Sequence, residues 1–172
     1  DGEIPCPERI YIATGTTGSS AGLLLGLAAA GLSTEVHAVC VVDAQFGSRE
    51  KLLRLLQKTA VLLNRLDPSF DAHLAKRVNL VWRDEFLGGG YAIFDERMTE
   101  AVSIAKSDLG LDLETTYTGK AMAAMLHDLR SADYDGENFL FWNTLNSREL
   151  PVDAERPPTL ENIPEEFLRY YD

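Results

Sequence analysis

The segment ATGTTGSSAG, Ala13 to Gly22, brings three glycines and five hydroxyl side chains together within ten residues. An apolar run enters it and an Ala/Leu-rich stretch leaves it. Glycine permits turns that a Cβ forbids, so successive backbone N–H groups can converge on one concavity. A helix starting there adds its unpaired first amides and the positive end of its dipole. With Thr14, Thr16, Thr17, Ser19 and Ser20 as short donors, the chemistry suits a phosphate monoester held without a metal. The motif is neither of the two common phosphate loops. Gly15, Gly18 and Gly22 are spaced three and four apart rather than as G-x-G-x-x-G, and no lysine follows the last glycine. The plain alternative is a strand-to-helix turn closed by a Ser or Thr cap. Gly22 and Gly26, four apart along the helix, read as a face that lets it lie close on a sheet.

Other reactive side chains are sparse. Cys6 and Cys40 have no metal-ligand spacing and make no disulfide framework, which points to a reducing cytoplasm. His37, His73 and His127 are scattered and read as surface or half-buried residues, with no zinc motif. The net charge of −11 argues against nucleic acid and against an anionic membrane surface. No charge-free apolar run reaches the roughly 20 residues of a membrane span. An anionic ligand is admissible only where local amides or cations oppose the overall field.

The elements that must position the glycine turn follow from hydrophobic pattern. The length of 172 residues allows one domain with a sizeable core. Four short runs, Arg9–Ala13, Val36–Val42, Val78–Trp82 and Phe139–Trp142, are nearly continuous in apolar residues, as in a parallel sheet covered on both faces. Helical stretches separate them: Ser19–Ala30 ending at Gly31, Ser48–Leu66 with Leu52, Leu56, Ala60 and Leu63 on one face, Glu96–Leu109, and Thr118–Arg130. In the last, Ala121, Met122, Met125, Leu126 and Leu129 read as core. The alternation predicts right-handed crossovers and an α/β three-layer sandwich with a mostly parallel sheet over residues 1–147. Residues 148–172, with four prolines and an acidic excess, read as a tail with a short helix near Pro164–Tyr170. The opening DGEIPCPERIYIA reads as a linker running into a strand, which suggests a piece of a longer protein.

Two further segments sharpen the reading. LDLETTYTGKAM, Leu111 to Met122, resembles the LDPVYTGKAM signature of the D-cysteine desulfhydrase and 1-aminocyclopropane-1-carboxylate (ACC) deaminase family. These are fold-type II enzymes dependent on pyridoxal 5′-phosphate (PLP), related to the β subunit of tryptophan synthase. Thr14–Leu27 is similar to the family's phosphate loop SGSGGTHAGLALGL. Gly90-Tyr91-Ala92 is similar to its Gly-Tyr-Gly segment, and Phe139–Asn146 to its strand ending in HTGG. Order and spacing agree from about Pro7 to Asn146.

The resemblance implies roles. Gly15, Thr16, Thr17, Gly18 and Ser19 would ring the cofactor phosphate. Tyr117 would stack on the pyridine ring, Thr118 would hydrogen-bond the ring nitrogen, and Tyr91 would stand near a small amino-acid substrate. A hydroxyl at 118 gives a weaker electron sink than the glutamate of the deaminase arm, which tilts the reading toward a desulfhydrase-like lyase. The family's Schiff-base lysine lies in the N-terminal half, so none of Lys51, Lys58, Lys76, Lys106 or Lys120 takes that place. Lys120 reads as a surface lysine. The chain would then be the C-terminal half of the family's length: most of the large PLP-cradling domain, inert alone, partnered by a missing N-terminal half and homodimeric when complete. Three departures stand out: Thr17 for a small Gly or Ala, Ser20 for a His, and Leu145 and Asn146 at the HTGG glycines, where Leu145 would be strained or narrow the pocket. The competing readings are a phosphate- or PLP-binding module that lost catalysis, and a structural domain with an empty turn.

Overall fold

The computed structural model describes residues 5–145 and Pro164. The expected tail helix, with Phe167, Tyr170 and Tyr171, lies outside the described residues, as does Asn146. The apolar runs form strands β1 (Arg9–Thr14), β2 (Glu35–Cys40), β3 (Leu80–Arg83) and β4 (Phe139–Trp142), all parallel, in the order β3-β2-β1-β4. Four α-helices connect them: α1 (Gly18–Ala29), α2 (Arg49–Leu66), α3 (Glu96–Leu109) and α4 (Thr118–Leu129).

Side chains on a strand alternate between faces, and here they divide the core in two. Ile12, Val36 and Ala38 meet Leu24 and Leu25 of α1 and Leu52 and Leu56 of α2. Tyr11 and Val39 meet Met98 and Ala101 of α3 and Ala121 and Met122 of α4. The result is the expected three-layer α/β sandwich. The first three strands wind one way through α1 and α2. The chain then crosses the other face through α3 and α4 to reach β4, on the far side of β1. Strand order thus reverses beside β1, and the crevice outside the carboxyl ends at such a reversal is where open α/β sheets bind ligands. The Thr14–Ser19 turn lies at that end of β1.

Helix ends follow local chemistry. Gly31 takes φ 71°, its N–H donates to Ala28 O, and Leu32 N–H donates to Leu27 O, which satisfies the last carbonyls of α1. Ser48 caps α2 by accepting Lys51 N–H. The expected core faces of α2 and α4 are buried at Leu52, Leu56, Ala60, Ala121, Met122 and Met125, half-buried at Leu63 and Leu126, and exposed at Leu129.

Two expectations are corrected. Gly22 and Gly26 do not face the sheet: both are exposed, and a Cβ at either would meet nothing within 4 Å. The packed face of α1 is instead Ser20, Ala21, Leu24, Leu25 and Ala28. His37 is neither surface nor half-buried. It is 3% exposed on the α3/α4 face, among Tyr11, Arg83 and Asp128. Arg83 Nη1 lies 3.0 Å from His37 Nδ1. A guanidinium can only donate, so Nδ1 accepts and the neutral ring carries its proton on Nε2, toward Glu35 Oε2 at 3.5 Å.

Burial and the adjacent guanidinium hold the His37 pKa below its ordinary value. Unfolded, the ring takes a proton near pH 6.5; folded, it does so only at lower pH. Between the two the unfolded chain binds more protons, so stability is full above about pH 6.5 and falls as the pH drops, by up to about 1.4 kcal/mol per pH unit. Asp128 adds a separate loss at lower pH. Burial opposes its ionised form, but hydrogen bonds from Arg83 and Tyr11 outweigh burial and hold its pKa below the usual range. Urea unfolding at pH 7.0 and 5.5 should therefore show an acid loss that His37→Gln flattens; an unchanged slope in that variant would remove His37 from the account.

Candidate functional site

The glycine turn is built so that its amides stay free. Thr17, at the start of α1, has φ 71° and makes no side-chain capping bond, so the plain Ser/Thr-capped turn is not what forms. Among the described residues, no protein acceptor takes the N–H of Gly15, Thr16, Thr17, Gly18 or Ser19. Gly18 and Ser19 are exposed and belong to the first turn of α1. Free N–H groups beside the positive end of a helix dipole favour a negatively charged group. Thr14 and Ser20, expected among the donors, point inward. Both are buried, their hydroxyls are 2.6 Å apart, and Thr14 also donates to Ile12 O. They staple the strand to the helix.

Gly47 completes the cradle and was not singled out from the sequence. A Cβ there would stand 2.0 Å from Gly15 O and 3.1 Å from a Val42 methyl. Only a glycine lets the loop after β2 back the turn this closely. The available signal was a glycine directly before the Ser48 cap.

Tyr91 and Tyr117 come from distant segments and meet. Their hydroxyls are 2.6 Å apart and their rings cross at 64°, with 48% and 38% of the two residues exposed. The hydrogen bond with Tyr91 raises the Tyr117 pKa above its ordinary value. One hydroxyl donates to the other, which leaves one O–H to offer a ligand. Gly119 sets the approach of α4 to the preceding loop: its N–H donates to Glu114 O at 2.7 Å, the same distance a Cβ would keep from that oxygen.

Thr118 is placed differently from expectation. It is 2% exposed, and its hydroxyl donates to Glu114 Oε1 at 2.9 Å and accepts from Glu114 N–H at 3.2 Å. The proton that a ring nitrogen would need from Thr118 is committed to Glu114. That carboxylate also accepts from the N–H groups of Thr116, Tyr117 and Thr118. Burial opposes its charge, but these bonds outweigh burial and lower its pKa. Glu114 lies in LETT, where this sequence is longer than the signature it resembles, so no motif pointed to it. Lys120 is likewise corrected: it is fully buried, not a surface lysine.

The departures from the resembled pattern have a backbone counterpart. Among the described residues, two non-glycine residues have positive φ, Thr17 at 71° and Ala92 at 56°, and both stand where that pattern has a glycine or another small residue. Leu145 is not among them; its N–H donates to Asn143 Oδ1.

No sequence-family model matches the chain. It is 30% identical over 138 residues to a D-cysteine desulfhydrase of Salmonella schwarzengrund (strain CVM19633), covering 80% of this chain and 39% of that protein. The chain is a relative of the D-cysteine desulfhydrases. A second, from Salmonella newport (strain SL254), is 29% identical over the same length. A solved structure described as an ACC deaminase homologue shares the fold, with a TM-score of 0.61 and 24% identity over 81% of this chain and 40% of that one. The chain thus spans about two-fifths of the length of the relatives it matches.

Two substitutions test the cradle. Thr17→Gly removes a left-handed β-branched residue, worth about 1–2 kcal/mol, against a glycine entropy cost of about 0.5–1. Thermal unfolding should show a net gain of up to about 1.5 kcal/mol. Gly47→Ala forces the loops apart, which should cost about 1–3 kcal/mol and weaken phosphate binding measured by calorimetry. Unchanged stability and binding in Gly47→Ala would contradict the cradle.

Proposed function

We propose that the chain is the PLP-cradling part of a lyase or deaminase that acts on a small amino acid, in the manner of a D-cysteine desulfhydrase or an ACC deaminase. The observation that carries this reading is the set of five unpartnered amides, Gly15 to Ser19, at the point where strand order reverses. Gly47 backs the turn that carries those amides, since a Cβ there would stand 2.0 Å from Gly15 O. Those amides would hold the PLP phosphate, with Tyr117 placed toward the ring and Tyr91 toward the substrate. PLP supplies an electron sink for the α-carbon of a bound amino acid. The chain's own part is to bind, orient and offer a proton: the tyrosine pair, with one hydroxyl donating to the other, would give one O–H to a substrate or leaving group.

The ring-nitrogen role fits less well, because the Thr118 hydroxyl already donates to Glu114. This withdraws the earlier tilt toward a desulfhydrase and leaves both arms of the family open. It also favours, as a second reading, a phosphate- or PLP-binding module without catalysis.

The amine that takes the α-proton is not supplied by Lys120, which is buried and bonded to carbonyls. In the proposal it comes from the remainder of a protein of the relatives' length, homodimeric when complete and working in the cytoplasm. A positioned general base contributes on the order of 10²–10⁴ in rate, so this chain by itself should be inert. Mixed with PLP and borohydride, it should label thinly over several lysines, with no pyruvate or ammonia released from D-cysteine or ACC. Stoichiometric labelling of one lysine with turnover would overturn the division of labour.

A further inference from the structure

Lys120 lies in the first turn of α4, three residues after Tyr117. Its side chain is fully buried, and its ammonium donates to Leu87 O at 2.6 Å and Gly90 O at 2.9 Å. The acidic groups around it, Asp95, Asp43 and Glu114, act on it through space and accept none of its hydrogen bonds. Burying an ammonium costs several kcal/mol unless its protons find acceptors. An apolar side chain would fill the same space without that cost, so the two carbonyls are what the charge is there for.

Those carbonyls bracket the turn Gly88-Gly89-Gly90. Gly88 has φ 70° and Gly90 φ 135°, conformations that turn both oxygens toward one nitrogen and that suit glycine. The segment has little else to hold it. Tyr91, Ile93 and Phe94 are exposed, and its other internal ties are the bond from Ile93 N–H to Gly90 O and the Ile93 side chain lying on Gly89. Tyr91 follows Gly90 directly and places its hydroxyl on Tyr117. One helical turn therefore carries one tyrosine of the pair and the cation that fixes the loop bearing the other.

We propose that Lys120 is the positioning residue of the Tyr91–Tyr117 pair, its ammonium clamping the Gly88–Gly90 turn at two points so that Tyr91 is held against Tyr117. The proposal rests on the functional reading above only for its last link, that the pair faces a substrate.

The test uses the full chain with Lys120→Met, which keeps the volume and removes the donors, and Lys120→Gln, which keeps a donor. Met122→Ala is a packing control on the same helix. Ring-to-ring proton contacts between Tyr91 and Tyr117 and amide exchange along the chain are read by NMR. Lys120→Met should abolish the ring contacts and speed exchange at 88–94 at least tenfold, with α3 and the rest of α4 within about twofold of wild type. Lys120→Gln should recover part of both. Met122→Ala should speed exchange broadly and leave the ring contacts in place. Gly88→Ala disturbs the turn without touching α4, so it reads the same link should the lysine variants not fold; it should separate the rings. Ring contacts that persist in Lys120→Met, or in Gly88→Ala where that variant stands in, would overturn the clamp. So would a Lys120→Met exchange pattern matching that of Met122→Ala. PLP added to wild type is followed separately at the amides of Gly15 to Ser19. No response there would sink the functional reading while leaving the clamp to be judged on the tyrosine contacts alone.

Discussion

The carboxylate of Asp128 fixes the geometry on which the site depends. It accepts the Tyr11 hydroxyl at 2.6 Å and both terminal nitrogens of Arg83, at 2.6 and 3.2 Å. That single group ties the last turn of α4 to β1 and β3. Losing one partner of such a buried pair leaves an uncompensated charge, at a cost of about 3–5 kcal/mol. With its far end pinned, α4 acts as a strut, and the residues of its other end inherit a fixed position: Tyr117, Thr118, Gly119 and Lys120. The same strand that Asp128 grips through Tyr11 ends three residues later at Thr14, where the glycine turn begins. The two halves of the site, amides on one side and tyrosines on the other, are referred to one frame.

What the chain's pattern made legible was the part governed by short-range periodicity. The central strands β1 and β2 are buried on both faces, so their apolar runs are continuous and stood out. Gly31 and Ser48 are local signals, and both act as expected. What pattern could not give is where a polar side chain finds its partner. His37 has Glu35 beside it two residues back, but the other polar groups around its ring, Arg83 and Asp128, are 46 and 91 positions away. Lys120 looks like a surface lysine until the Gly88–Gly90 turn folds over it. Gly22 and Gly26 lie on one face of α1, but periodicity alone does not say which face the sheet covers, and the leucines took it.

The turn at residues 14–20 carries a second lesson. A glycine-rich loop looks interchangeable with a threonine-rich one when read as a supply of hydroxyls. In the structure the backbone supplies the donors, and two of the hydroxyls are spent on holding strand to helix. The glycine positions matter for the φ they permit. Thr17 and Ala92 retain that φ without glycine, so the shape of the site persists at a conformational cost. Strain kept in place by its surroundings is a feature of functional sites, and here it falls on the glycine turn and on the loop carrying Tyr91.

The central claim is that the free amides of Gly15 to Ser19 hold the phosphate of a phosphorylated cofactor. The most direct measurement is a two-dimensional amide NMR titration with PLP, alongside pyridoxal, which has the same ring and aldehyde but no phosphate. The account predicts saturating shifts with PLP at Gly15 to Ser19, extending to Gly47, and none there with pyridoxal. Equal responses to the two compounds, or shifts with PLP that leave the turn untouched, would contradict it.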